Sequence, residues 1–237
     1  MAKRSAKKAS GLPAQPRPRA APPPVRSKGA GGSADRKAWY IGGAAVAVLA
    51  VIGIVLGVVL SGGSSSATTS SKTIAWDKLG VLQSGAPPWN NGSGQLRDRL
   101  DALGLSALGS EGTVLHIHQH LDVYVNGKKV TVPALIGIDE ADGFLTELHT
   151  HDNSGILHVE SPTQRSFELG QVFGEWGVKL TPTCISTLCG KLSWWVNGKK
   201  MTGNPAQLVL KPHQEIVIVS GTKPAHLPTS YKFPAGL

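Results

Sequence analysis

The chain has 237 residues, and its 24 Lys and Arg against 15 Asp and Glu give a formal net charge of +9. The whole excess lies in residues 1–37, which hold ten basic residues and one acid, whereas the other 200 residues carry 14 of each sign. A nucleic-acid-binding domain needs positive charge on a folded surface. Nucleic acid is therefore excluded as a partner.

The composition of residues 1–60 predicts a cytoplasmic tail followed by a membrane anchor. Residues 1–37 contain six prolines and few large apolar side chains, so we expect them to be disordered. Residues 38–60 carry no charge, and a helix of this length reaches about 34 Å, enough to cross a bilayer. Basic residues precede this run, and the next one is Lys72. This asymmetry predicts a single-pass protein in the cell membrane, with its C-terminal domain extracytoplasmic.

Two further features of this region leave alternatives open. A cleavable signal peptide is disfavoured, because the basic region and the apolar run are both long and residues 61–64 offer no small-x-small cleavage site. Gly53 and Gly57 form a small-xxx-small pair that favours a homodimer through the helix. Glycine is also simply common in membrane helices.

The rest of the chain divides into four segments by composition: a flexible Gly/Ser linker at 61–72, a loop and short-helix segment at 73–112, a β-rich domain at 113–222 and a C-terminal tail at 223–237. The spacing of Leu96, Leu100 and Leu103 predicts a short amphipathic helix at about 95–103. The linker composition is typical of a spacer between bilayer and domain.

The domain contains an internal repeat. Residues 121–129 recur as 192–200, and each copy is an alternating apolar run that ends in Asn-Gly-Lys-Lys. Asn-Gly is typical of a two-residue turn with positive φ at both positions, so two related hairpins are predicted. Between them, apolar residues spaced by three and four predict a short helix at 169–176, and 214–220 reads as a central strand. The predicted fold class is α+β, mainly β.

The end of this domain resembles small β-grasp ligand-binding domains. The resemblance covers residues 167–221, where a strand ending in Val-Asn-Gly-Lys at 196–199 precedes a closing Glu-Ile-Val-Ile-Val strand at 215–219. It implies a β-grasp-like scaffold. The wider pattern of basic tail, single anchor, His-x-His-x-His and His-Thr-His-Asp resembles a family of bacterial membrane-anchored, His-rich extracytoplasmic proteins. That resemblance implies no activity.

Cys184 and Cys189 are the only cysteines, and the predicted topology places both in an oxidising compartment. We therefore expect a disulfide, which stabilises the fold by about 2 kcal/mol through loop closure. A thiolate pair that binds a metal is the alternative. It is less favoured because there is no Cys-x-x-Cys spacing and little other sulfur.

Six of the eight histidines fall within 43 residues and are predicted to share strand faces. Alternate side chains of a strand lie on one side, so His116, His118 and His120 project together with Asp122, opposite an apolar face. A predicted turn at 152–155 folds the chain into a hairpin, in which the residues before the turn lie opposite the residues after it.

Folding the chain about that turn places His149 directly opposite His158, with Cβ atoms about 5 Å apart. His151 and Glu160 flank this pair on the same face. If the apolar faces share one core, the two imidazole faces converge on one site.

Clustered neutral imidazoles are typical ligands of divalent first-row metals, so the sequence predicts a copper or zinc site. The leading ligand candidates are His118, His120, His149 and His151, followed by His158 and by a peripheral His116. Carboxylates that complete or orient the shell are Asp122, Asp152 and Glu160. His213 and His226 lie beside prolines in loops and are not expected to bind.

Three functions remain open on these observations. The first is an anchored extracytoplasmic protein that captures, delivers or senses a metal ion. The second is a metal-dependent enzyme with an open His site and Glu160 or Asp122 as general base. The third is an interaction module whose histidines respond to pH without metal. The sequence favours binding over catalysis because it shows ligands without a positioned base, and it contains no Gly-x-Ser-x-Gly or Walker-type motif.

Overall fold

The computed structural model describes residues 73–237. The predicted tail, membrane helix and linker, with the Gly53/Gly57 pair, lie outside the described residues. Within 73–237, no helix has both the length and the apolar character needed to cross a membrane. This part of the chain forms a mixed α+β domain that is mainly β.

The described elements are two α-helices, three short 3-10 helices and eleven strands. The helices are α1 (Leu96–Leu103) and α2 (Leu169–Trp176), with 3-10 turns at Trp76–Lys78, Ser93–Gln95 and Pro205–Gln207. The strands are β1 (Leu115–Val125), β2 (Lys128–Val130), β3 (Ile138–Asp139), β4 (Phe144–Leu145), β5 (Leu148–His149), β6 (Ile156–Ser161), β7 (Cys184–Ile185), β8 (Leu188–Cys189), β9 (Leu192–Val196), β10 (Lys199–Met201) and β11 (Glu215–Ser220).

Seven strands form one mixed sheet in the order β10-β9-β11-β1-β6-β5, and β2 also pairs with β1. The central strands β1 and β11 are parallel, whereas the other neighbours are antiparallel. β1 is long enough to use two partners along one edge: residues 115–120 pair with β6, and residues 123–125 pair with β2. The strands β3–β4 and β7–β8 form two separate small hairpins.

Both predicted Asn-Gly hairpins are confirmed. They join β1 to β2 and β9 to β10. Asn126 and Gly127 have φ values of 49° and 79°, and Asn197 and Gly198 have values of 49° and 75°. Positive φ at both central positions gives the turn a twist that matches the right-handed twist of the strands it joins.

The core lies on one face of the sheet and is closed by both helices. Leu169, Phe173 and Trp176 of α2 are fully buried, and they share a core cluster with the inward-facing strand residues. The short helices predicted at about 95–103 and at 169–176, and the predicted central strand β11, are confirmed. Leu96 and Leu100 of α1 belong to the same cluster, so the segment 73–112 packs into this core.

Cys184 and Cys189 are cross-strand partners in the β7–β8 hairpin and form the predicted disulfide, with Cα atoms 4.1 Å apart. Because both sulfurs are in this bond, neither is available as a thiolate ligand. The cysteines therefore contribute no donor to a metal site in the described part of the chain.

Candidate metal centre

Three neighbouring strands place three histidines in one row across the sheet. His118 of β1 is the cross-strand partner of His158 of β6, and His158 is also the partner of His149 of β5. The ring centroids are 4.6 Å apart for the first pair and 5.3 Å for the second. The turn at 152–155 thus gives the register expected from the sequence, and the N-terminal half of β1 supplies the third imidazole.

Glu160 lies at the centre of this arrangement. Its Oε1 is 3.0 Å from Nδ1 of His158, 3.3 Å from Nε2 of His116 and 3.8 Å from Nε2 of His118. Its other oxygen, Oε2, is 3.9 Å from Nε2 of His149. One carboxylate therefore lies within about 4 Å of four imidazoles. We call His116, His118, His149, His151, His158 and Glu160 the histidine cluster.

The histidine cluster has a buried part and an exposed part. We call the buried residues His118, His149, His158 and Glu160 its floor, and the exposed residues His116 and His151 its rim. His118, His149, His158 and Glu160 are each at most 8% exposed. His116 and His151 are about half exposed, at 49% and 45% of their side chains. The ring of His151 packs edge-on against His149 and His158. These two imidazoles therefore form the solvent-facing edge of the histidine cluster.

Glu111 is a residue beside the rim that the sequence did not point to. Its Oε1 is 3.3 Å from Nε2 of His151. The side chain comes from the loop before β1, where no periodic pattern signals a role, so nothing in the sequence could have singled it out. Burial and the charge of Glu111 together raise the pKa of Glu160.

Three buried polar atoms of the histidine cluster have no hydrogen-bond partner among the described residues: His118 Nε2, His149 Nε2 and Glu160 Oε2. Burying a polar atom without a partner is costly, and such atoms are rare in folded proteins. All three carry lone pairs or can do so, and all three lie beside the same carboxylate. The residues present therefore fit metal binding, which would give such atoms a partner.

Backbone and side-chain acceptors set the tautomers of two floor histidines. Nδ1 of His149 lies 3.1 Å from the carbonyl oxygen of Thr146, which accepts only, so Nδ1 donates and Nε2 keeps its lone pair. Nδ1 of His158 donates to Glu160, which leaves its Nε2 free as well. Orientation of a ligating imidazole by a carbonyl or a carboxylate is typical of metal sites.

The floor histidines are held neutral. Burial, followed by repulsion from the neighbouring imidazoles, lowers the pKa of His118 to about 4. Burial lowers the pKa of His149 to about 4 despite its hydrogen bond to Thr146. Burial and the nearby His151 likewise lower the pKa of His158 to about 4. At neutral pH these rings offer lone pairs and add no charge.

A buried carboxyl group supports the segment that orients His149. Glu175 of α2 is fully buried and hydrogen-bonded to the Thr146 hydroxyl, and burial raises its pKa well above the usual range. The Thr146 hydroxyl donates its one proton to the carbonyl of Leu148 at 2.7 Å. A protonated Glu175 therefore donates to Thr146. Through Thr146, Glu175 holds the carbonyl that faces His149.

His120 is not part of the histidine cluster, although the sequence placed it among the four leading ligands. Its Nε2 donates to the carbonyl of Ser154 at 3.0 Å, and its Nδ1 is 2.7 Å from Oε2 of Glu215. Tyr231 stacks on its ring with centroids 3.8 Å apart. The reason is register: β11 begins to pair with β1 at this position, so His120 faces Glu215 and both ring nitrogens are occupied.

Of the three carboxylates predicted to complete or orient the shell, only Glu160 lies in the histidine cluster. Asp122 pairs with Lys129 at 2.6 Å and belongs to the group of His120 and Glu215. Asp152 is exposed and accepts from the backbone N–H of Ser154 at 2.8 Å, so it caps the turn. Hydrogen bonds from Ser154 lower its pKa.

The two histidines expected to be bystanders differ. His226 is exposed in the C-terminal segment. The backbone N–H of His213 donates to the carbonyl of His118 at 2.7 Å, and its side chain lines a pocket beside His116 and His118. The loop position of His213 did not predict this contact, because His118 and His213 are far apart in the sequence.

The histidine cluster offers two overlapping ligand sets. His149, His151, His158 and Glu160 each present one donor atom, and these atoms lie within 4.8 Å of one another. We call this set the first subsite. His116, His118 and Glu160 meet the same condition and form the second subsite.

No family model, no curated protein and no solved structure matches this chain. The function must therefore be argued from the histidine cluster.

Proposed function

We propose that this protein binds a divalent transition metal ion, copper(II) or zinc, in the first subsite. The observation that carries the proposal is that two buried donor atoms of this subsite, His149 Nε2 and Glu160 Oε2, have no partner among the described residues. His149, His151 and His158 supply imidazole nitrogens, and Glu160 supplies a carboxylate oxygen. The ion replaces the missing hydrogen bonds and balances the buried negative charge.

The donor set supports copper(II) or zinc over softer or harder ions. Imidazole nitrogen suits both metals, whereas magnesium and calcium prefer all-oxygen shells. Both cysteine sulfurs are in the disulfide, so no thiolate is present to favour copper(I). Four protein ligands can complete a tetrahedral shell, which is typical of a site that holds an ion. Capture, delivery or sensing of the ion is therefore favoured over catalysis at this subsite.

The pKa values of the floor histidines do not favour the alternative function, an interaction module that responds to pH without metal. A switch that acts near pH 6 needs imidazoles with ordinary pKa values. The pKa values of His118, His149 and His158 are near 4 instead.

We also propose that the domain is held outside the cell membrane by a helix at 38–60. The charge asymmetry of the sequence supports this orientation. The Cys184–Cys189 disulfide agrees with an oxidising compartment. Dimerisation through Gly53 and Gly57 remains part of the same proposal.

The strand order supports a β-grasp-like scaffold as a further part of the proposal. Two hairpins, β1–β2 and β9–β10, flank the central strand β11, and the chain passes through α2 between them. The strands β5 and β6 are then additions that pair with the N-terminal half of β1. His149, His158 and Glu160 of the histidine cluster lie on these additions, whereas His116 and His118 lie on the N-terminal half of β1 that pairs with them.

Metal analysis of the full-length protein in detergent tests the function. We expect stoichiometric copper or zinc to remain after dialysis at pH 7.5. His149→Ala should lose the ion, and His226→Ala is the matched control because His226 is exposed and outside the histidine cluster. A wild-type protein that retains no ion after exposure to either metal contradicts the proposal.

A further inference from the structure

The first subsite leaves two histidines of the cluster unused. His116 and His118 lie on the other side of Glu160 from His149. His118 is 4% exposed, and its Nε2 has no partner among the described residues. An ion in the first subsite does not explain this buried atom. The ring of His116 packs edge-on against His118 at 4.9 Å, so the two imidazoles form a pair.

The two oxygens of Glu160 face different histidines. Oε1 accepts from Nδ1 of His158 and also lies 3.3 Å from His116 and 3.8 Å from His118, whereas Oε2 is nearest to His149. On each side a buried imidazole is accompanied by a half-exposed one: His118 by His116, and His149 by His151. A carboxylate between two such pairs has the arrangement of a bridging ligand. In two-metal sites the ions lie about 3.5–4 Å apart, a separation that one carboxylate can span.

We propose that the histidine cluster binds two divalent ions bridged by Glu160, with the second ion on His116 and His118. This inference rests on the proposed function, because it adds an ion to the first subsite. The second subsite has two imidazoles and one shared oxygen. Fewer protein ligands leave positions on this ion for water or an external donor.

A pocket beside the second subsite supplies room for that external donor. It has a volume of about 360 Å³ and is lined by His116, His118, Pro212 and His213 with the C-terminal residues Gly236 and Leu237. The first subsite does not line it. The second ion is therefore the exchangeable, ligand-accessible one, and a small oxygen or nitrogen donor is the class of ligand that fits beside it.

Copper(II) titration of the full-length protein in detergent tests this inference. We expect two ions per chain by metal analysis after dialysis. The two spins should couple through Glu160, so the EPR intensity should account for less copper than metal analysis finds. His116→Ala should bind one ion whose EPR intensity matches the copper present. His116 is half exposed, so its removal should leave the fold intact, which circular dichroism checks. His226→Ala should keep two coupled ions.

The outcomes separate the two proposals. One ion in the wild type, unchanged in His116→Ala, would overturn the second ion and leave the first subsite standing. Two uncoupled ions that are both retained in His116→Ala would also overturn it, since the second ion would then lie elsewhere. No bound ion in the wild type would overturn both proposals.

Discussion

His118 on β1 and His149 on β5 lie on opposite sides of one carboxylate, and each has a buried Nε2 without a partner among the described residues. The first is 3.8 Å from Oε1 of Glu160 and the second is 3.9 Å from Oε2. The two histidines are not neighbours in the sheet, because β6 lies between their strands. Glu160 therefore connects two segments that the sequence presents as independent.

The first prediction concerns the ligands of the first subsite. His149→Ala and His158→Ala should each weaken metal binding by more than about 100-fold, because each removes a donor atom rather than an outer-shell contact. The double variant should lose little more than either single one, since both act on the same site. Calorimetric titration of the four proteins measures the effect. Additive losses would indicate two separate sites.

The second prediction distinguishes His120 from the histidine cluster. His120→Ala should retain the ion stoichiometry of the wild type. It should lower the free energy of unfolding by about 1–3 kcal/mol, because Glu215 and the carbonyl of Ser154 lose their buried partner. Denaturant unfolding together with metal analysis checks both parts. Loss of the ion without loss of stability would make His120 a ligand.

The third prediction is the pH dependence of metal binding. Protons compete with the ion for the two buried imidazoles of the first subsite, His149 and His158, where these titrate, and their pKa values are near 4. We therefore expect binding to persist at pH 6 and to fail only as the pH approaches about 4 to 5. Ion retention measured by dialysis from pH 7.5 to 4 tests this. Release centred near pH 6.5 would contradict this expectation.

The fourth prediction is the stability of the metal-free protein. In the unfolded chain a histidine titrates near pH 6.5, whereas the floor histidines of the folded protein titrate near pH 4. Between these values the floor histidines bind more protons in the unfolded state, so the stability that they contribute is complete above pH 6.5 and is lost as the pH drops to 4. The raised pKa values of Glu160 and Glu175 act in the opposite sense, so the histidine contribution is measured as the difference between the thermal unfolding of wild type and of a histidine variant across this range. His118→Asn should reduce this contribution, because one titrating group is gone.

The fifth prediction concerns Glu175. Because this carboxyl is protonated, Glu175→Gln should preserve stability and metal affinity: the amide N–H can donate to Thr146 as the acid does. Glu175→Ala should weaken metal binding as well as stability, since Thr146 then loses the contact that positions its carbonyl. Comparison of the two variants by calorimetry separates this positioning role from general packing. Equal metal affinity in both variants would contradict it.

The sequence by itself determined the local structure around the site. Strand alternation put His116 and His118 on one face of β1, and the turn at 152–155 set His149 against His158. Both hairpins and the two short helices were likewise predicted, because each depends on residues close together in the chain. The disulfide was predicted from the oxidising compartment that the charge pattern implies. Periodicity and turn chemistry are local, and these elements obey them.

Only the tertiary structure decided which histidines meet. β11 pairs with β1 only from residue 120 onward, on the edge opposite β6, so Glu215 lies beside His120 and not beside His118. Strand alternation alone predicts that His118 and His120 lie on the same face of β1, so it does not distinguish between them. The carboxylate Glu111 beside the rim and the stacked Tyr231 also come from distant segments that carry no periodic signal. Which strands pair, and in which register, depends on which face of the sheet is buried. Burial of a sheet face is a property of the whole fold and not of any short stretch of sequence.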